Sequence, residues 1–299
     1  MCRICVVVAT YKRDKSLEKT LESLSKQTYK DFEIILVDDN ADEKFSLNVS
    51  RIISNFKKEN PDIDFNYIVN LSNKGSAETR NIGIRESTGE FITFLDDDDV
   101  YLPDKLFKQV NYMIENNFDF CVTDLELYNE KGKLIDKRTR DYIKDTSPDA
   151  MMKYHLKYHI TGTDTMMFKR EYLNKIGGFA PINVGDEFYL MQRAIKYGGK
   201  FGYLPECDVM AYVHTGESGL SSGKSKIDGE NALYQYKKTF FDFISASDRR
   251  YIKMRHFAVL AFAELRCKRY FKFIKNAIVS VLIDPVSCLT LLISNKRNY

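Results

Sequence analysis

Four consecutive aspartates, Asp96-Asp97-Asp98-Asp99, follow the apolar run Phe91-Ile92-Thr93-Phe94-Leu95. Like charges a few ångströms apart repel, so such a run at the mouth of a folded core calls for a cation among them. A divalent metal held by hard carboxylate oxygens is the chemistry this implies; a solvated acidic turn capping the helix expected after Pro103 is the alternative. On extended backbone side chains alternate, which places Asp96 and Asp98 on one side and Asp97 and Asp99 on the other. Other polar residues with chemical potential recur at similar places. Thr10-Tyr11 ends one apolar run, Asp38-Asp39 ends another, and Asp186-Glu187 precedes the periodic segment 188–195.

The elements that would position them are legible as a pattern. Residues 4–9 read as a strand buried on both faces, Leu17, Leu21 and Leu24 mark one face of a helix, and residues 32–37 form a second buried strand. A helix near 46–59, a strand at 64–69, a short helix at 76–86 and a strand at 91–95 continue the alternation. Alternating elements with continuous apolar strands predict an α/β fold, a doubly wound, mainly parallel sheet with helices on both faces. Such sheets bind ligands beyond the carboxyl ends of their strands, where Thr10-Tyr11, Asp38-Asp39 and the aspartate run fall. Further on, the pattern predicts a helix over 104–116, a strand at 118–128, a charge-dense segment at 133–146 and a helix at 149–158. A strand at 165–168, a turn or helix ending at Gly177-Gly178, a helix through 188–195 and helical structure from Asn231 complete it.

With 299 residues, 44% apolar and 13% aromatic, the chain can bury a substantial core. Six cysteines lie scattered without a disulfide framework, and Cys2-x-x-Cys5 lacks the second pair a zinc knuckle needs, so buried thiols in a reducing cytosol are expected. Arg3 interrupts the apolar start, so no signal peptide is predicted. The longest apolar stretch, residues 277–293, is split by Asp284-Pro285 and falls short of the roughly 20 apolar residues of a spanning helix. Residues 249–299 carry eleven Lys and Arg against Glu264 and Asp284, a net +9, which leaves −6 of the total +3 on residues 1–248. A basic, aromatic-rich helical tail suits the surface of an anionic membrane, or forms the solvated face of a packed helical subdomain. No nucleic-acid-binding module accompanies these cations, which argues against a nucleic-acid partner.

Residues 1–220 resemble the family 2 glycosyltransferases, inverting enzymes of the GT-A fold that use nucleotide-activated sugars. Five ordered segments carry the resemblance: Val6-Val7-Val8-Ala9-Thr10-Tyr11-Lys12-Arg13; Val37-Asp38-Asp39; Asn73-Lys74-Gly75 with Thr79-Arg80-Asn81-Ile82-Gly83; the strand that opens at Gly89-Glu90 and runs into the four aspartates; and Gly177-Gly178-Phe179 followed by Gly185-Asp186-Glu187-Phe188 and Arg193. The resemblance implies a catalytic domain over 1–228, with a nucleotide-binding half (1–102) and an acceptor-binding half (103–228), followed by a helical region (229–299). It implies that Thr10, Tyr11, Arg13 and Asp39 bind the nucleotide, with Tyr11 as a stacking surface and Asp39 as an acceptor for base or ribose. Arg80 would reach the diphosphate, with Gly75 and Gly83 allowing close backbone approach.

Asp96 and Asp97 would belong to the donor site. Asp98 or Asp99, with Asp98 favoured, would bond Mn²⁺ or Mg²⁺, and His214 would lie near the ion. The family places its base in the second carboxylate of a Glu-Asp pair. Here the order is reversed, so Glu187 takes that register and Asp186 remains the alternative. The segment 216–223, rich in Ser and Gly, has the composition of a lid. The activity implied is transfer of one sugar, UDP-linked, to a hydroxyl of a surface polysaccharide or a lipid-linked oligosaccharide, at the inner face of the cell membrane with peripheral contact through 249–299. A homodimer stays open. The chain has no tryptophan and therefore no Gln-x-x-Arg-Trp motif of processive synthases. A nucleotidyltransferase would need a Gly-rich loop after the first strand, which Thr10-Tyr11-Lys12-Arg13-Asp14 does not supply. A non-catalytic, nucleotide-sugar-binding partner subunit is the other alternative, supported by the reversed acidic pair.

Overall fold

The computed structural model describes residues 4–182, 185–213 and 223–296. The chain opens β1 (Ile4–Thr10), α1 (Asp14–Ser25), β2 (Phe32–Asp38), α2 (Glu43–Glu59), β3 (Asp64–Val69), α3 (Ser76–Glu86) and β4 (Phe91–Asp96). It continues through β5 (Val100–Tyr101), α4 (Lys105–Asn116), β6 (Phe120–Thr123), β7 (Leu125–Asn129), β8 (Leu134–Arg138), α5 (Pro148–Tyr158), β9 (Met166–Lys169) and α6 (Arg170–Lys175). Then come α7 (Asp186–Lys196), β10 (Phe201–Leu204), β11 (Val209–Val213) and four helices, α8 (Gly223–Lys238), α9 (Ala246–Arg266), α10 (Tyr270–Ile283) and α11 (Pro285–Lys296).

The central sheet has seven strands in the order β10-β6-β9-β4-β1-β2-β3, parallel except for β9, which runs antiparallel to both neighbours. Alternate residues of β1 face opposite layers. Ile4, Val6 and Val8 join Leu17, Leu21 and Leu24 of α1 and Ile53 of α2, while Cys5 and Val7 join Ile84 of α3 and Leu190 of α7. Both faces are thus covered by helices, which is why the strands read as continuous apolar runs. A methyl at Gly83 would collide with the Val7 side chain, so only glycine lets α3 lie this close to β1.

A second sheet, β5-β11-β7-β8, accounts for the departures from the sequence pattern. The strand expected over 118–128 breaks at buried Asp124 into β6 and β7, which belong to different sheets. The Asp124 carboxylate accepts from the Arg140 backbone N–H at 3.1 Å and the Tyr203 hydroxyl at 2.9 Å, and these bonds hold the corner. The charge-dense segment contains β8, an edge strand on which Lys137 and Arg138 are exposed. Strands β10 and β11 are too short to show a period of two over several repeats. Leu233 of α8, Ile252 of α9, Leu156 of α5 and Phe188 of α7 share one apolar cluster, which ties the C-terminal helices to the domain. Among the described residues no single helix is long and apolar enough to cross a membrane, and the five described cysteines are free.

Candidate active site

Register brings the polar strand ends together, since Thr10 pairs with Asp38 across β1 and β2 and Ala9 pairs with Asp96 across β1 and β4. The aspartate run does not stay extended. The Asp99 N–H donates to the Asp96 carbonyl at 3.1 Å, closing a four-residue turn in which first and last side chains meet instead of alternating. Oxygens of Asp96, Asp99 and Asp164 lie within 4.8 Å of one another. Asp97 and Asp98 turn instead to Arg13. Asp97 accepts from the Tyr11 backbone N–H at 3.1 Å and from Arg13 Nη1 at 3.3 Å, and Asp98 forms an ion pair with the same guanidinium. Burial and the Asp98 charge push the Asp97 carboxyl up to about 7 against the pull of Arg13.

Asp164 carries no motif, and sequence reasoning missed it. It sits on a 3₁₀ turn leading into β9, and its carboxylate accepts the Asp96 N–H at 2.6 Å. Burial, then the charge of Asp96, pushes Asp164 above the usual carboxylate range. Burial and the charges of Asp164 and Asp98 push Asp99 up likewise, although Asp99 also accepts the Tyr212 N–H at 2.8 Å. Three clustered acids, two of them reluctant to ionise, form a hard-oxygen donor set that suits Mn²⁺ or Mg²⁺.

Arg80 links this cluster to the next. It is buried on α3 and donates from Nη2 to Asp96 at 2.6 Å and from Nη1 to Asp186 at 2.9 Å. Burial disfavours its charge, but the two carboxylates outweigh that and raise its pKa. The Gly177-Gly178-Phe179 segment braces it: the Asn81 carboxamide donates to the Phe179 carbonyl at 2.9 Å and accepts its N–H at 2.8 Å, setting the Phe179 ring 5.4 Å from the guanidinium carbon. Gly178 needs its positive φ of 58° for that turn, and its carbonyl accepts from Arg193. At the start of α7, Asp186 is thus engaged by Arg80, while half-buried Glu187 is pushed up to about 8 by burial and by Asp186 beside it.

The Asp39 carboxylate takes four hydrogen bonds, from the Asn70 side chain (2.8 Å) and the Lys74 N–H (2.7 Å) on one oxygen, and from the Asn73 side chain (3.0 Å) and the Gly75 N–H (2.9 Å) on the other. It shapes the loop that enters α3, where Gly75 adopts φ 81°. Thr10 is buried, whereas Tyr11 is 43% exposed with the Lys12 ammonium 5.0 Å from its ring centre. His214 and most of the segment expected to act as a lid lie outside the described residues.

The family model described as glycosyl transferase family 2 matches residues 5–177, more than half of the chain. The chain belongs to this family. An uncharacterized glycosyltransferase of Methanocaldococcus jannaschii is 32% identical over 206 residues, covering 68% of each chain. A glucosyltransferase of Escherichia coli, WfgD, is 27% identical over 144 residues, 47% of this chain and 54% of that one. The chain spans only 18–21% of the length of longer rickettsial relatives that it matches. Among solved structures, S. aureus TarS 1–349 superposes with a TM-score of 0.61 at 16% identity, covering 94% of this chain and 91% of that one. The mixed α/β architecture is therefore the GT-A fold, and this glycosyltransferase family 2 member places its acidic residues at the carboxyl edge of the sheet.

Proposed function

We propose that this glycosyltransferase is a non-processive, inverting enzyme that moves one sugar from a UDP-sugar to a hydroxyl of a surface polysaccharide or lipid-linked oligosaccharide. The observation that carries the reading is the Arg80 bridge. One buried guanidinium joins the acidic cluster at the end of β4 to the acidic pair at the start of α7, so leaving-group and acceptor chemistry share one anchor. Two relatives support the substrate class: WfgD is named for glucosyl transfer from UDP-glucose to a diphosphoundecaprenol-linked sugar, and TarS was solved with UDP-GlcNAc.

In this reading residues 1–228 are the catalytic domain, 1–102 its nucleotide half and 103–228 its acceptor half. Tyr11 offers its exposed ring to the base beside Thr10 and Arg13. Asp39 holds the 73–75 loop against the nucleotide. Asp96, with Asp97 behind it on Arg13, belongs to the donor site at the diphosphate, beside the Arg80 guanidinium with which it pairs. Asp99, together with Asp96 and Asp164, would hold Mn²⁺ or Mg²⁺; Asp98 and His214 are the further candidates for that ion. The chemistry such an ion supplies is charge neutralisation at the departing diphosphate. Glu187 takes the proton from the acceptor hydroxyl as that oxygen attacks the anomeric carbon, because Asp186 is already committed to Arg80 and a raised carboxyl pKa suits a base near neutrality. Residues 229–299 form the helical region, with 249–299 bringing the chain to the inner face of the membrane that carries a lipid-linked acceptor.

Isothermal titration in the presence of Mn²⁺ tests the reading. Binding of a UDP-sugar in preference to a nucleoside triphosphate is expected; the opposite preference would replace this reading with nucleotidyl transfer.

A further inference from the structure

Helix α10 carries apolar residues on its exposed outer side as well as toward its neighbour α9, unlike a helix on an ordinary protein surface. Its inner side, in register with Ser280, carries Phe273, Ala277 and Ile283, all partly buried. Ser280 is its one buried residue, and the Ser280 hydroxyl donates to the Met254 carbonyl of α9 at 3.0 Å. Its outer side carries Phe271, Ile274, Ile278 and Leu282, three to four residues apart and so on one helix face. Phe271 is 83% exposed, Leu282 is 75% exposed, and the other two are more than half exposed. Beyond the Asp284-Pro285 break, Val286 and Leu289 of α11 are also more than half exposed. Single exposed apolar residues are ordinary; a stripe of four on one helix, with two more just beyond its end, is not.

Charge says what covers the stripe. Arg266, Lys268, Lys272 and Lys275 are exposed around its N-terminal end, and α10 itself contains no acidic residue. The two nearby acids are engaged inward: Glu264 is buried against Arg269 at 3.4 Å, and Asp284 accepts from the Ser287 N–H and hydroxyl at 3.1 and 2.9 Å. A second copy of the chain docking face to face would set these cations against their own likes. A surface of anionic lipid meets both features at once, acyl chains for the stripe and phosphates for the cations.

We propose that the outer face of α10 and α11 is a docking surface for an anionic lipid bilayer, lying within the interfacial layer and not crossing it. At 1.5 Å per residue α10 is about 21 Å long, short of the roughly 30 Å hydrocarbon core. The two helices are also bent by 120° at the break, so they do not add into one span. The inner neighbour α9 shares an apolar cluster with Phe188 of α7, next to Glu187. If the acceptor is lipid-linked, a step that rests on the function proposed above, docking holds the helix bearing the base beside the membrane that presents it.

The test is flotation of the full chain with vesicles of phosphatidylcholine alone or containing about a third phosphatidylglycerol, at low and high salt. The expected result is recovery with the anionic vesicles only, weakened by salt, and lowered at least about tenfold in Phe271→Glu/Ile278→Glu/Leu282→Glu and in Lys268→Glu/Lys272→Glu/Lys275→Glu. Melting temperatures establish that each variant is folded; should the apolar triple fail to fold, the lysine triple decides alone. Absence of flotation, equal flotation of wild type and folded variants, or a dimer in light scattering that the apolar triple converts to monomer without any lipid binding would overturn the proposal. UDP-sugar hydrolysis by the variants is expected to match wild type, which separates a failure here from a failure of the catalytic reading.

Discussion

Two acidic sites lie at the ends of the strands on either side of β1, and the protein treats them oppositely. At the end of β2, Asp38 accepts from the Asn40 backbone and side chain at 2.9 and 2.7 Å and from the Tyr67 hydroxyl at 2.8 Å, and Asp39 accepts four donors from the 70–75 segment. Those carboxylates are saturated by the chain itself. At the end of β4, Asp96, Asp99 and Asp164 converge, and among the described residues Arg80 is the only cation ion-paired with any of the three. A saturated carboxylate builds the scaffold, while a cluster left short of positive charge stores repulsion that an incoming cation relieves. The same division recurs within one pair, where Asp186 is taken by Arg80 and Glu187 is left with a raised pKa.

That pair gives the largest expected effect. Glu187→Gln keeps shape and removes the proposed base, so turnover should fall by about 10²–10⁴-fold with little change in stability. Asp186→Asn breaks a buried ion pair, so its main consequence should be a loss of stability of several kcal/mol, about 3–5 by analogy with other buried pairs. Single-turnover rates beside urea melts tell them apart. A folded Asp186→Asn protein that has lost all turnover, with Glu187→Gln active, would invert the division. Because Glu187 must be ionised to accept a proton and its pKa is raised to about 8, wild-type turnover should climb with pH through that value. A limb near the ordinary glutamate value of about 4.3 would contradict the assignment.

Metal affinity sharpens the comparison next. Asp99→Asn and Asp164→Asn should each weaken Mn²⁺ binding at least about tenfold, read by electron paramagnetic resonance of free Mn²⁺. Asp39→Asn should leave that affinity near wild type. An equal loss in all three would mean that the saturated site is not mere scaffold.

The contrast also marks what a sequence can carry. The strands β1, β2 and β4 were legible because burial on both faces writes a continuous apolar run, and the acids after them mark the carboxyl edge. Which aspartates meet was not, because the turn closed by Asp99 N–H overrides the alternation that extended backbone would impose. Asp164 was illegible for a different reason. It stands alone in Gly162-Thr163-Asp164-Thr165, and only the insertion of β9 between β4 and β6 carries it to Asp96. The composition of α10 was readable as apolar and basic, but the outward direction of its stripe depends on Ser280 facing α9. Asp124 likewise reads as a residue inside a strand until its bonds to Arg140 and Tyr203 show it to be a corner.

The smallest effect is the most diagnostic, because its sign differs between the two sites. Asp39→Asn places an amide N–H where two donors converge and should cost about 1–3 kcal/mol of stability whether or not metal is present. Asp164→Asn keeps an oxygen for the Asp96 N–H and removes a charge from the crowded cluster, so the metal-free protein should gain on the order of 1 kcal/mol at neutral pH. The folded pKa of Asp164 is raised above its unfolded value, so above roughly pH 4 the unfolded chain releases a proton that the folded chain retains. The wild-type protein therefore loses stability as pH climbs from there through the raised value, and the advantage of Asp164→Asn should be absent near pH 4 and grow toward pH 8. Saturating Mn²⁺ should stabilise the wild type by mass action more than a variant that binds it weakly, so the order of the two melting temperatures should reverse. A variant that is less stable than wild type without metal at pH 8 would show that Asp164, like Asp39, is already satisfied by the chain.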